Sequence, residues 1–214
     1  MIGSEEGLFV DHVDHSVGGF GGHAFRRITH ISMSIVPLLY YVYGVEISKA
    51  IFLEPKQFVS LVCILIMVIE AIRLRTGIVI VGQREYESRQ ISALAWGTLS
   101  VSLALLVSTD YDLNGIESGL YGIPIIFGLT FVDPIMGEIK RKKKDLKLAI
   151  IVGLFVSYFI WISCYFWLGT EIIAVILLAP LTVLGEIPST EFIDDNATMV
   201  LFPMVGLELL KPFL

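Results

Sequence analysis

The feature that most constrains this chain is a series of long apolar blocks separated by short polar segments. A helix needs about 20 mostly apolar residues to cross the hydrocarbon core of a bilayer. The block at 146–168 meets that length, and its apolar residues are continuous rather than alternating or in 3.6-residue stripes. We therefore predict an all-α protein, a polytopic transmembrane helical bundle of about seven spans. The predicted spans are 28–45, 57–75, 91–108, 116–133, 146–168, 171–187 and 197–213, of which the last two are short and could form a re-entrant hairpin.

The composition agrees with lipid as the surrounding solvent. Hydrophobic residues make up 55% of the chain and charged residues 17%, against about 45–50% and about 25% in globular domains. The formal net charge of −6 argues against a general nucleic-acid-binding protein. Membrane lipids are therefore expected partners, and nucleic acid is not.

The start of the chain differs from the rest. It holds acids, histidines and the glycine run GGFGG at 18–22, without the apolar stretch of a signal peptide. We predict that residues 1–25 form a flexible or surface-lying extension and that residues 26–214 form a transmembrane catalytic domain. Whether this domain self-associates into a homo-oligomer is left open by the sequence.

The distribution of basic residues predicts an orientation. Lys and Arg accumulate in cytoplasmic segments of membrane proteins. With the N-terminus in the cytoplasm, twelve of the fifteen basic residues lie on the inner side, and only Lys49, Lys56 and Lys211 lie outside. The three segments richest in charge, at 70–90, 132–144 and 185–196, then all fall inside. Because charged groups at membrane depth are costly and usually functional, we predict a single active site at the cytoplasmic face.

The run Asp194, Asp195 and Asn196 is the first candidate for chemistry. Mg²⁺ prefers oxygen ligands, and proteins commonly supply one or two carboxylates while substrate phosphates and water complete the shell. Glu186 and Glu191 stand just before the run, and Pro188 is expected to break the helix between them. The alternative interpretation is a solvated loop in which Asn196 or Asp195 caps the last helix.

A second candidate is the segment VDPIMGEIKRKKK at 132–144. Asp133 is expected to end a span and to cap a new helix that has a proline in its first turn, and Glu138 lies on that helix. Gly137 would permit close approach of a phosphate. Lys140 and Arg141 belong to a basic run that could hold a polyphosphate or anionic lipid headgroups, or that could simply set the topology.

Arginines supply a third candidate group. Glu70 and Arg73 are three residues apart on one helical face and can form an ion pair. Arg73 or Arg84 could instead neutralise charge on a transferring phosphoryl group. His30, at the start of the first span, could act as a base or a phosphate ligand, although a lone histidine at a helix start is more often structural. The upstream DHVDH at 11–15 has metal-like spacing without a structural context.

Taken together, these segments resemble the dolichol kinase, phytol kinase and CTP-dependent diacylglycerol kinase family, which is related to the phosphatidate cytidylyltransferases. The similar motifs, in order, are FRRITHIS at 25–32, Glu70 with Arg73, REYE at 84–87, VDPIMGEIKRK at 132–142 and EIPSTEFIDDNATMVLFP at 186–203. The resemblance covers about residues 25–205. Val132 departs from it, because the family commonly has glycine directly before the central aspartate.

The resemblance implies a CTP-dependent kinase that phosphorylates a polyprenol, a dolichol or a related lipid alcohol. It implies Mg²⁺ held by Asp195, Asn196 and Asp133, and phosphates clamped by Arg73, Arg84, Lys140 and Arg141. Asp194 or Glu138 would accept the proton of the lipid hydroxyl. Two alternatives remain: a cytidylyltransferase that makes a CDP-activated lipid, and a non-enzymatic transporter or scaffold. The expected location is the plasma membrane of a prokaryote.

Overall fold

The fold is helical throughout the part of the chain that the structure describes. The computed structural model describes residues 16–187 and 193–214, of which 79% are helical and none form a strand. The predicted all-α class is therefore confirmed. The helices are α1 (Gly19–Ser32), α2 (Ile35–Lys49), α3 (Pro55–Thr76), α4 (Ala93–Val107), α5 (Gly122–Phe127), α6 (Asp133–Lys143), α7 (Leu146–Leu168), α8 (Ile172–Glu186) and α9 (Asp195–Leu210).

Three helical stretches are long and apolar enough to cross a membrane. They are α3, the stretch Gly122–Lys143 and α7, and the pair α1 and α2, bent by 41°, adds a fourth if it counts as one span. Only 11% of the most apolar window of α3 is buried, so most of this helix turns apolar side chains away from the rest of the protein. Helices α4 and α8 are apolar but have 15 residues each. All seven predicted blocks contain helix, but only three or four of the helical stretches are long enough to cross a membrane.

The first apolar block folds differently from its prediction. Helix begins at Gly19 instead of 28, and the block divides into two helices near Met33. The early start depends on Gly22, where a Cβ would collide with the carbonyl oxygen of Val17 and approach the backbone nitrogen of Gly82 to 3.2 Å. The glycine run thus lets α1 lie against the segment after α3. Residues 1–15, including the DHVDH motif, lie outside the described residues.

The prediction that Asp133 ends one span and caps a new helix is wrong. Gly128–Val132 forms a π-helical turn that joins α5 to α6 without a break, and the Asp133 backbone continues the helix. Proline within a helix lacks an N–H and crowds the carbonyl four residues earlier. The wider π turn accommodates Pro134, and such turns are frequent at functional sites.

Helices α8 and α9 form an antiparallel hairpin packed through small residues. At one end, a Cβ on Gly185 would lie 2.5 Å from the Thr198 carbonyl oxygen and 2.6 Å from Met199 Cα. Further along α9, a Cβ on Gly206 would lie 2.5 Å from the Leu181 side chain. The two backbones therefore approach closely at Gly185, and the absent side chain of Gly206 makes room for Leu181.

We expect Gly185→Ala to destabilise the protein by about 1–3 kcal/mol, because the added methyl group meets backbone atoms that cannot rotate away. A thermal or denaturant unfolding curve in detergent measures the change. Gly21→Ala is the matched control, since a Cβ there has nothing within 4 Å. That control should be neutral or stabilising by up to about 1 kcal/mol. Equal behaviour of the two variants would contradict the close approach.

The polar contacts divide between the two ends of the helices. At the end of α3 that carries Arg73, ion pairs join α1, α6 and α8 to one another and to the segment after α3. At its other end, the Lys56 ammonium lies 3.7 Å from the centre of the Tyr111 ring. Near that same end Tyr121 donates a hydrogen bond to Glu171. Residues predicted to share one side of a membrane therefore contact one another.

Candidate active site

A cavity of about 540 Å³ lies where α1, α4, α6 and the α8–α9 hairpin meet the segment at 80–91. Its size is typical of small-molecule sites. One part of its wall is charged and another is apolar, with Phe25, Met33 and Trp96 among the apolar residues. The cavity brings together eight of the residues predicted from sequence: Arg84, Asp133, Gly137, Lys140, Arg141, Asp194, Asp195 and Asn196.

Three carboxylates from three helices converge in this cavity. One oxygen each from Asp133, Glu186 and Asp195 lies within 4.8 Å of the other two. Glu186 is 3% exposed, and its Oε1 accepts a hydrogen bond of 2.6 Å from Lys140 Nζ. Its Oε2 is buried and has no hydrogen-bond partner. A buried carboxylate that lies close to two others and has an oxygen without a donor is suited to receive a cation.

Asp194 and Asn196 fix the end of α9 beside the cluster. The N-cap of α9 is Asp194, whose carboxylate accepts a hydrogen bond of 3.0 Å from the Asn196 backbone N–H, so the predicted caps Asn196 and Asp195 are wrong. Asn196 Nδ2 donates to the Ala93 carbonyl at 3.3 Å, whereas its Oδ1 is buried without a partner. Burial, and then the neighbouring Asp195 carboxylate, raise the pKa of Asp194 well above its usual range.

Basic side chains surround the carboxylates. Arg27 Nη1 lies 3.7 Å from Asp133 Oδ2, and Lys140 pairs with Glu186. Arg26 Nη1 lies 2.6 Å from Glu87 Oε1, which attaches α1 to the segment after α3. These pairs draw on segments more than 40 residues apart, so the cavity depends on the complete fold.

His30 is held by the π-helical turn. Its Nε2 lies 3.0 Å from the Leu129 carbonyl oxygen and 3.2 Å from Asp133 Oδ2. Both neighbours are acceptors when Asp133 is ionised, so Nε2 must carry the proton. In a π pattern the Leu129 carbonyl would pair with residue 134, a proline without an N–H. His30 therefore satisfies that carbonyl and orients Asp133, and its Nε2 is not available as a base.

Arg73 lies outside the cavity wall. Its Nε and Nη2 donate to both oxygens of Glu70 at 2.8 Å. It also donates to the backbone carbonyls of Ile78, Glu87 and Gln90 at 3.0, 2.7 and 2.9 Å. With these five hydrogen bonds, Arg73 holds the segment that forms one wall of the cavity.

Glu138 also turns away from the cavity. It accepts hydrogen bonds from Arg141 Nη2 at 2.7 Å and lies 2.8 Å from Lys142 Nζ, one turn along α6. Gly137 lies against α1, because a Cβ there would be 2.8 Å from Arg27 Nη2. Its absent side chain therefore makes room for the Arg27 guanidinium.

Arg84 borders the cavity from the segment after α3. Its Nη1 donates a hydrogen bond to the Tyr86 hydroxyl, and its guanidinium carbon lies 5.7 Å from the centre of the Tyr86 ring. Its Nε is buried without a hydrogen-bond partner. Arg84 thus places a guanidinium in the cavity wall, a group suited to bind an anion.

Sequence reasoning did not assign a site role to Glu186, Arg27 or the Arg26–Glu87 pair. Glu186 ends an apolar helix, and an acid in that position is a usable signal. Its distance from Asp133, 53 residues earlier, has no local signature. Pro188 and Glu191 lie outside the described residues.

Comparison with protein-family models, with curated proteins and with solved structures gives no match. Carboxylate and amide oxygens with no sulfur ligand are typical of a hard divalent cation such as Mg²⁺. Arg27, Arg84 and Lys140 beside them are suited to phosphate groups. The arrangement can bind an anionic phosphate together with a divalent cation.

Proposed function

We propose that the protein is an integral membrane enzyme that transfers a phosphoryl group from CTP to the hydroxyl of a polyprenol, a dolichol or a related lipid alcohol. The observation that carries the proposal is the three-carboxylate cluster, surrounded by basic side chains in a cavity with an apolar wall. The choice of CTP rests on the family resemblance of the motifs.

We further propose a multi-pass arrangement of about seven spans with the N-terminus in the cytoplasm of a prokaryote. The grouping of most basic side chains at the cavity end supports this orientation, because Lys and Arg accumulate on the cytoplasmic side. The cavity would then open at the cytoplasmic face of the plasma membrane. A lipid substrate and a water-soluble nucleotide meet naturally at that boundary.

The cluster fits Mg²⁺. Glu186 Oε2 and Asn196 Oδ1 are buried without hydrogen-bond partners, and both residues line the cavity that holds Asp133 and Asp195. Asp133, Glu186, Asp195 and Asn196 would hold the ion, which would supply positive charge to neutralise that of the nucleotide phosphates. Glu186 thus joins the ligands expected from sequence.

The side chains around the cluster bind the phosphates and accept the proton. Arg27, Arg84, Lys140 and Arg141 bind the phosphates. Asp194 accepts the proton of the lipid hydroxyl while the hydroxyl oxygen of the lipid bonds to the γ-phosphorus of CTP. The bond from that phosphorus to the β–γ bridging oxygen breaks, and CDP leaves.

Two residues expected to be catalytic receive other roles in this proposal. Arg73 positions the cavity wall at 80–91, because all its described hydrogen bonds go to Glu70 and to backbone carbonyls. Glu138 positions Arg141 through their ion pair. Neither side chain lines the cavity.

The test uses purified protein in lipid vesicles with γ-labelled CTP, Mg²⁺ and a panel of polyprenol, dolichol, diacylglycerol and a diether glycerol. We expect label in an organic-soluble phosphorylated lipid and release of CDP. Omission of Mg²⁺ should abolish the transfer. ATP as donor in a parallel reaction tests the nucleotide preference.

Two other outcomes would replace this proposal. Release of pyrophosphate with a phosphatidic-acid-like lipid, without label on the alcohols, would indicate a cytidylyltransferase. No turnover with any donor, in protein that unfolds cooperatively, would favour a transporter or scaffold.

A further inference from the structure

The cavity has an apolar arm formed by one face of α1. Phe25, Thr29 and Met33 follow one another at intervals of four residues, so they share one face of this helix, and all three line the cavity. Arg26 and His30 form the adjacent stripe, and they contact Glu87 and Asp133. Helix α1 thus presents an apolar stripe and a basic stripe side by side to the same space.

The opposite wall of this arm is the first turn of α4. Leu94 and Trp96 line the cavity there. The two walls meet at Met33, because a Cβ on Gly97 of α4 would lie 3.5 Å from Met33 Sδ. The outer end is open, since Phe25 is 55% exposed and Leu94 47% exposed. The arm therefore opens onto the apolar surface of the protein rather than ending in the core.

The inner end of the arm is attached to the carboxylate cluster. The Ala93 carbonyl accepts a hydrogen bond of 3.3 Å from Asn196 Nδ2, and Asp195 is the residue before Asn196. A molecule lying in the arm would therefore place one end among charged groups and the other among exposed apolar side chains. A membrane lipid with a small polar head has this division of polarity.

We propose that the arm between α1 and α4 binds the hydrocarbon chain of the lipid substrate and admits it sideways from the membrane. This inference rests on the proposed function for the identity of the head group, a lipid hydroxyl. Phe25, Thr29 and Met33 contact the chain on one side, and Leu94 and Trp96 contact it on the other. The hydroxyl is then delivered beside Asp194 and Asp195.

The experiment uses a long-chain alcohol that carries a photoreactive diazirine in its chain, incorporated into phosphatidylcholine vesicles with the full-length protein. After illumination, mass spectrometry maps the modified residues. We expect adducts concentrated at Met33 and Trp96. Thr29→Trp fills the arm and should reduce these adducts, and raise the KM for a long-chain alcohol, by about tenfold or more, the equivalent of about 1.4 kcal/mol of binding.

Ile28→Trp is the matched control, because Ile28 is the adjacent residue on α1, is 67% exposed and does not line the cavity. Tryptophan is well tolerated at a membrane interface, so adducts and turnover should equal those of the unaltered protein. Adducts spread over all exposed helices, or equal adducts in both variants, would overturn the proposal.

The experiments distinguish failure of the proposed kinase activity from failure of the proposed lipid-binding arm. Adducts at Met33 and Trp96 that Thr29→Trp removes, without phosphoryl transfer to any alcohol, would support the lipid arm and overturn the kinase. Phosphoryl transfer to long-chain alcohols that Thr29→Trp leaves unchanged would support the kinase and overturn the arm.

Discussion

Asp195→Asn should lower the proposed phosphoryl transfer by about 10²–10³-fold while the protein remains folded. The substitution removes one of three carboxylates that lie within 4.8 Å of one another, and losing one such electrostatic contact commonly costs about 10²–10³ in rate. The Asp194 cap of α9 stays in place. Unfolding without Mg²⁺ should be unchanged or shifted to higher temperature, because like charges repel at this distance.

The rate of label transfer and the unfolding midpoint, each with and without Mg²⁺, measure the two effects. A ligand that binds only the folded state raises the midpoint, so Mg²⁺ should stabilise the unaltered protein and not Asp195→Asn. Asp112→Asn is the matched control, an exposed aspartate in the loop between α4 and α5. Full activity in Asp195→Asn would remove the carboxylate cluster from the mechanism.

Arg73→Met should destabilise the protein by about 3–5 kcal/mol, the usual cost of leaving one member of a buried ion pair without its partner. Arg73 and Glu70 have side chains only 9% and 7% exposed. The substitution also leaves the carbonyls of Ile78, Glu87 and Gln90 without their donor. The segment at 78–91 should consequently become accessible to proteases before the helices unfold.

Denaturant unfolding and limited proteolysis measure these effects. Arg75→Met is the control, because Arg75 is exposed two residues further along α3, and it should stay within about 0.5 kcal/mol of the unaltered protein. Glu70→Met with Arg73→Met should regain part of the loss, since no charge is then left alone. Lost activity in Arg73→Met at unchanged stability would instead return Arg73 to a direct role in catalysis.

The fold could be predicted as far as local chemistry determines it. Each apolar block contains helix, as expected for long apolar segments, because a helix satisfies the backbone hydrogen bonds within one segment. The start of α1 could not be predicted, because glycines usually disfavour helix. It depends on the contact of Gly22 with Val17 and Gly82, which becomes visible only once the chain has folded. The π-helical turn before Asp133 could not be predicted either, since Pro134 fits the first turn of a new helix equally well.

The types of residue at the candidate site could be predicted from the sequence, but not all of the particular residues that form it. Asp133, Asp195 and Lys140 were indicated by their density of charge beside apolar segments. Glu186 lies in the charge-rich segment at 185–196, but it received no site role, because its proximity to Asp133 is set by the packing of α8 and carries no local signal. Arg73 was recognised as the partner of Glu70, yet its bonds to three distant carbonyls follow from where the segment at 78–91 lies. The sequence therefore predicts which chemical groups the site contains better than it predicts which residues lie close together.

The carboxylate cluster also determines when during synthesis the site can exist. Its basic side chains and Asp133 belong to parts of the chain made earlier, whereas Glu186 and Asp195 follow after α7. A nascent chain made only as far as α7 holds the basic side chains of the site with one of the three carboxylates of the cluster. If the protein is inserted into a membrane as we propose, such a chain would attract anionic lipid headgroups to the incomplete site. The α8–α9 hairpin would then have to displace them, so lipid composition would influence how fast the protein matures.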